Sequence, residues 1–219
     1  MADLQFSIDS DIPKALLWIG TIRGQMPFAI SQALNKTGFD VRKALNQGTT
    51  RHFDQPTRFT QTAFVVERGN KADPTVLVGA QANRNYFGPQ IRGGTRRIKE
   101  FEGFIRGLSK GQVTRKLVPT SQVIDPRGNP RRRVFSQIQQ GLSTTKPTGF
   151  FIGKPRGGSR PLGVYKRDRG RLVPYFIQVS TEPRYQPRFP MEQIGQDTIS
   201  RVAGQHLRSS LERAIASAR

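Results

Sequence analysis

Cysteine is absent from the 219 residues, and histidine is nearly so, with His52 and His206 the only two. The first absence removes any disulfide framework and any thiolate metal site, and it fits synthesis in a reducing compartment, the cytoplasm. The second leaves little for proton transfer near neutral pH. Acidic residues are few as well: 15 Asp and Glu stand against 36 Lys and Arg, a formal net charge of +21. No run approaches the roughly 18 to 20 consecutive apolar residues that span a bilayer. Asp3, Asp9 and Asp11 occupy the start of the chain, where a signal peptide would carry positive charge. Neither secretion nor membrane insertion is expected.

What is present is a charged scaffold able to fold. A hydrophobic fraction of 35% with 14 Phe supplies a core without disulfides or a metal. The cations are spread through the folded sequence, at Arg92 to Lys99, Arg127 to Arg133, Lys154 to Arg160 and Lys166 to Arg171. Self-repulsion at this net charge is relieved by an acidic partner, which is either nucleic acid or an acidic protein surface.

Periodicity predicts an α+β fold: an antiparallel sheet of short strands packed with one long helix in the N-terminal half and another at the C-terminus. Leu4, Phe6 and Ile8 alternate as in a half-buried strand, and Asp11-Ile12-Pro13 signals a helix start. From Met26-Pro27, the residues Ile30, Leu34, Val41 and Leu45 fall on one helical face as far as about Gly48, with Ala33, Thr37 and Ala44 beside them. Asp54 to Thr57 breaks that helix, and Thr57 is placed to cap a short turn. Strands at 64–67 and 75–79 read as a hairpin, and Gly94 to Gly107 returns to helical spacing through Ile98, Phe101 and Ile105.

Beyond the turn residues Asp125 to Pro130, Val134, Ile138 and Leu142 predict a short helix. Runs at 149–153, 162–166 and 171–179 predict a meander, with Gly157-Gly158 in one hairpin. The prolines at 183 and 187 mark an extended connector over 181–190. Ile199, Ala203, Leu207, Leu211 and Ile215, supported by Val202 and Ala214, form an i, i+4 ladder in a terminal helix of about 191–217. At 1.5 Å per residue it extends about 40 Å and either spans the fold or projects from it. With no repeat, the expectation is a single domain over 1–219, with Leu211 and Ile215 as candidate subunit-interface residues.

No catalytic constellation emerges. Gly93-Gly94 ahead of a helix matches neither a Walker loop nor a dinucleotide fingerprint and reads as a turn. Neither His has a partner at metal-ligand spacing, no Ser sits in a nucleophile elbow, and Glu100 and Glu102 point in different directions on a helix. No enzyme activity, metal or cofactor is expected. Arg131-Arg132-Arg133 beside Phe135, and Lys166 to Arg171 beside Tyr165, mix cations with aromatics, yet those rings occupy core positions and no nucleic-acid motif is present. Arg96, Arg97, Arg131, Arg132 and Arg133 are candidate contacts to an acidic partner.

Three segments, in order, resemble the minor tail protein Z family of tailed bacteriophages and prophages. The first is Ala33-Leu34-Asn35-Lys36-Thr37 with Phe39-Asp40-Val41-Arg42 and Phe53-Asp54-Gln55-Pro56-Thr57. The second is Pro89-Gln90-Ile91-Arg92-Gly93-Gly94 with Arg96-Arg97 and Phe101-Glu102. The third runs from Val173-Pro174 through Phe176 to Pro183-Arg184-Tyr185 and Pro187-Arg188-Phe189. The resemblance implies a virion protein of the tail or head-tail junction, made in the bacterial cytoplasm and acting by assembly. It further implies a homo-oligomeric ring, with neck, portal, adaptor or tail proteins as partners and no active-site residues. Nonspecific nucleic-acid binding is the alternative that the charge leaves open, and DNA contact is compatible with either.

Overall fold

Pro27, in the first turn, needs no backbone N–H partner and opens helix α1 (Met26–His52). The helix runs one turn beyond Gly48, with Arg51 and His52 in its last turn at the negative helix end. It stops at Phe53, whose backbone is extended. The computed structural model of the chain describes residues 5–7, 25–144, 148–156 and 159–217. The helix expected after Asp11 and the Gly157-Gly158 hairpin lie outside them.

The fold is α+β, as the periodicity predicts, with two antiparallel sheets. The chain gathers into two compact units where the sequence reads as one: Met1–Arg96 with Tyr185–Arg219, and Arg97–Arg184. In the first unit the sheet order is β1 (Gln5–Ser7), β3 (Leu77–Ala80), β2 (Phe64–Glu67). Helix α2 (Arg58–Gln61) precedes β2, and helix α3 (Phe87–Arg92) follows β3. Thr57 does sit at the N-cap of α2, but its side chain makes no capping bond. The Thr57 carbonyl accepts from Thr60 and Gln61 instead.

Helix α1 lies on the sheet and also packs along helix α6 (Met191–Ser217). Leu34, Val41, Leu45, Phe64, Val78 and Phe189 lead the core. Gly38 makes the close approach to the sheet: a Cβ there would lie 2.6 Å from Val76 Cγ1. A second close approach brings Gly48 to Ile194 of α6, and Asp40 Oδ2 lies 2.7 Å from His206 Nε2. Asp40 meets a later residue than Gly48 does, so the two helices run antiparallel.

The second unit carries a four-stranded sheet in the order β4 (Leu117–Pro119), β7 (Arg171–Gln178), β6 (Gly163–Asp168), β5 (Phe150–Gly153). The predicted meander is β5 to β7. Strand β4 adds to its far side from a three-residue segment that ends in Pro119, too short to show a strand period. Helices α4 (Glu100–Leu108) and α5 (Arg132–Ser143) cover the sheet through Phe101, Ile105, Val134 and Ile138 against Val164 and Phe176. The helix expected over 94–107 is thus corrected to 100–108. Gly93 ends α3 with φ 75 and Gly94 follows with φ 87, conformations that glycine adopts freely. The chain then stays non-helical to Lys99.

Candidate functional site

Charge divides unevenly between the units. Arg97–Arg184 holds 19 Lys and Arg but only 5 Asp and Glu, so most of the net charge resides there. Those acids are largely committed internally. Buried Glu102 accepts from the N–H groups of Lys99 at 2.9 Å and Leu117 at 2.8 Å. Glu182 pairs with buried Lys116, and that hydrogen bond, reinforced by the Lys116 charge and opposed by burial, holds the Glu182 carboxyl below its ordinary range. Asp125 Oδ1 accepts from Arg127 and Asn129, both at 2.9 Å, and Asp168 sits opposite Arg171 in the β6–β7 register. The remaining exposed charge of this unit is predominantly basic.

The Asp125 turn positions the arginine triplet. A bridge between Ile124 and Pro130 and a 2.9 Å bond from Arg131 N–H to the Val123 carbonyl close the loop, and α5 starts at Arg132. Val134 and Ile138 face the core, which leaves Arg131, Arg132 and Arg133 exposed. No acid occupies the first turn of α5. Cations at the positive end of a helix are disfavoured, by roughly 0.3–1 kcal/mol each, a cost that a bound acidic group offsets. Phe135 lies 4.9 Å from Phe101 and 5.7 Å from Phe176, so it is a core ring and offers no stacking platform beside the triplet.

The second basic group is the β6–β7 hairpin. Arg169 (φ 46) and Gly170 (φ 78) form a left-handed two-residue turn, exposing Arg167, Arg169 and Arg171. Lys166 Nζ lies 5.5 Å from the Phe150 ring centroid, and the Arg167 guanidinium 5.7 Å from that of Phe151. Tyr165 is buried, its hydroxyl donating to the Pro161 carbonyl at 2.6 Å, and burial pushes its pKa up. Phe150 packs against Gly141, nine residues along α5 from Arg132, about 14 Å at the helical rise. Two separate cationic groups therefore exist, and neither is interleaved with free rings.

Arg96 and Arg97 stand on no helix. They flank the unit boundary ahead of α4, Arg96 half-buried and Arg97 exposed, and both already have partners within the chain. The terminal helix is covered almost to its end, since Ala214 is buried. Its most buried line runs through Gly195, Thr198, Ser210 and Ala214. The apolar ladder lies at the flank of that line: Leu207 and Leu211 are half-buried, and Ile215 is 41% exposed. Of the two candidate interface residues, Ile215 is the one that offers a surface.

Residues of the three segments singled out in the sequence meet inside each unit. In the first, Gly94 and Tyr185 exchange backbone bonds at 3.0 and 2.8 Å, the Gln90 carbonyl accepts from Arg188 and Phe189, and Phe53 stacks on Phe189 at 5.6 Å. In the second, Phe101 lies 4.8 Å from Phe176. Asn35 and Glu102 lie within those segments and Asn46 outside them, and nothing in their local sequence marks any of the three as an anchor of distant backbone. Among the described residues no three His, Cys, Asp or Glu side chains gather to hold a metal, and no helix is long and apolar enough to cross a membrane. No family model, no curated protein and no solved structure matches the chain.

Proposed function

We propose that the chain is a structural protein of a tailed-phage particle, at the tail or head-tail junction. It assembles into a ring with its own copies and meets neck, portal, adaptor or tail proteins through contacts rather than chemistry. The observation that carries the reading is the ordered set of three segments resembling the minor tail protein Z family. Their mutual contacts support it, because Phe53, Gln90, Gly94, Phe101, Phe176 and Tyr185 are among the residues that tie distant stretches of each unit together. Such residues specify a fold, which is what a shared pattern without catalytic residues would record. In this reading Arg131, Arg132 and Arg133 face an acidic neighbour. Exposed ion pairs contribute about 0–1 kcal/mol each, so the triplet acts collectively.

The test is the simultaneous substitution Arg131→Glu, Arg132→Glu and Arg133→Glu, with particles counted by electron microscopy after complementation. The expected result is a folded protein and loss of completed particles, while single Ala substitutions change little. Normal particle yield from the triple variant overturns the role of the triplet, and a chain absent from purified particles overturns the virion reading. A second reading, nonspecific nucleic-acid binding, is favoured by the 19 to 5 imbalance of the second unit. It predicts duplex DNA binding at physiological salt with a steep salt dependence.

A further inference from the structure

Strands β2, β4 and β5 each lie at the edge of a sheet. Edge groups that remain unpaired invite pairing with another chain, and proteins normally block them. In β2 the 3.0 Å bond from Gln81 N–H to the Ala63 carbonyl sets the register, so Phe64 and Val66 turn their backbone groups outward. Helix α1 covers that edge. Asn46 exchanges two hydrogen bonds with the Phe64 backbone, and Asn35 does the same with Gly69, leaving Val66 between them.

In β4 the bonds from Thr120 N–H to Tyr175 and from Val179 N–H to Lys116 turn Leu117 and Pro119 outward. The Leu117 N–H is taken by Glu102, and Pro119 has none to offer. Strand β5 differs. The 2.8 Å bond from Arg167 N–H to the Gly149 carbonyl places Gly149, Phe151 and Gly153 in the ladder and turns Phe150 and Ile152 outward. Among the described residues, neither the N–H nor the carbonyl of Phe150 or Ile152 has a partner.

We propose that the β5 edge is a strand-addition site for an extended, acidic segment of a partner protein. The backbone of Phe150 and Ile152 supplies the pairing, and charge selects the occupant. From Thr148 to Arg171 there are seven Lys and Arg and a single acid, Asp168. Lys154 and Arg156 follow the strand directly and are exposed, and Lys166 and Arg167 lie over its two Phe rings. A second copy pairing β5 to β5 would bring two sets of these cations together across one sheet, and that like-charge repulsion disfavours it. A strand bearing Asp or Glu completes the sheet and neutralises them. The inference deepens the assembly reading and rests on it only for the existence of a partner. Its test leaves Arg131 to Arg133 untouched, so either can fail alone.

The probe is a short fluorescent synthetic peptide alternating Thr and Glu, titrated into the full chain and followed by polarisation. Residue-resolved amide exchange of Phe150 and Ile152 is measured alongside. Ile152→Pro deletes an outward N–H without removing a ladder bond. The expected results are slowed exchange at both amides, binding about tenfold weaker in Ile152→Pro, and no binding of the Thr-Lys counterpart. Binding without slowed exchange, or unchanged binding by a folded Ile152→Pro, overturns the site. Slowed exchange at these amides that grows with protein concentration in the absence of peptide replaces the partner with a second copy. The same protection by duplex DNA replaces it with nucleic acid. Should Ile152→Pro fail to fold, exchange in the unsubstituted chain decides.

Discussion

The side-chain amide of Asn46 pairs with the backbone of Phe64 much as a neighbouring strand would. The Phe64 N–H donates to Oδ1 at 3.1 Å, and Nδ2 donates to the Phe64 carbonyl at 3.3 Å. The residues are 18 apart in the chain, and the contact makes a helix serve as the last strand of a sheet. Removing it leaves two backbone groups at a strand edge without partners, and an unmade bond costs about 1–3 kcal/mol where water cannot replace it. Asn46→Leu is therefore expected to lower stability by about 2 kcal/mol. It should also raise light scattering at high concentration, because the β2 edge opens. A melting curve and a concentration series check both, and unchanged scattering would show that α1 shields the edge by bulk alone.

Glu102 joins its own helix start to β4 through two N–H groups while buried, which makes it an anchor. Glu102→Gln keeps the size but turns an NH2 group toward one of the two donors. A loss of about 1.5–3 kcal/mol is expected, the range for hydrogen bonds to charged groups. Denaturant unfolding measures it, and exchange at the Leu117 amide locates the damage at β4.

Two glycines inside long helices should respond in opposite directions. At Gly38 a Cβ would lie 2.6 Å from Val76 Cγ1, so Gly38→Ala is expected to cost about 1–3 kcal/mol despite better helix propensity. At Gly204 nothing lies within 4 Å, so Gly204→Ala is expected to stabilise by about 0.4–1 kcal/mol. Thermal melts of the pair are the check, and a stabilised Gly38→Ala would mean that α1 moves off the sheet at little cost.

Acid should weaken the second unit through Glu182. Its folded pKa lies below the ordinary carboxylate value, chiefly because Lys116 donates to it. The contribution is therefore complete above the unfolded pKa and is lost as pH falls through the lowered folded one, on the acid side of the ordinary carboxylate range. Glu182→Gln should flatten this part of a stability profile measured against pH, and an acid limb of unchanged slope would assign the loss to other carboxylates.

Local chemistry alone settled the strand and helix identities of most of the chain. The apolar period of α1, the break at Pro56, the Asp125 turn and the β-branched and aromatic runs of β5 to β7 each specify their element from within a few residues. Net charge is likewise a property of sequence. Its concentration in Arg97–Arg184 is not, since it depends on where the chain crosses between units. The terminal helix shows the limit most clearly. The ladder from Ile199 to Ile215 is the apolar stripe, yet Gly195, Thr198, Ser210 and Ala214 form the buried line, because a close neighbour such as α1 admits small side chains. Asn35, Asn46 and Glu102 look locally like solvated helix residues. Their partners Gly69, Phe64 and Leu117 lie 34, 18 and 15 residues away. Periodicity records which side chains can be buried, while tertiary structure decides which backbone groups come within reach of a polar side chain, and so which edge remains open.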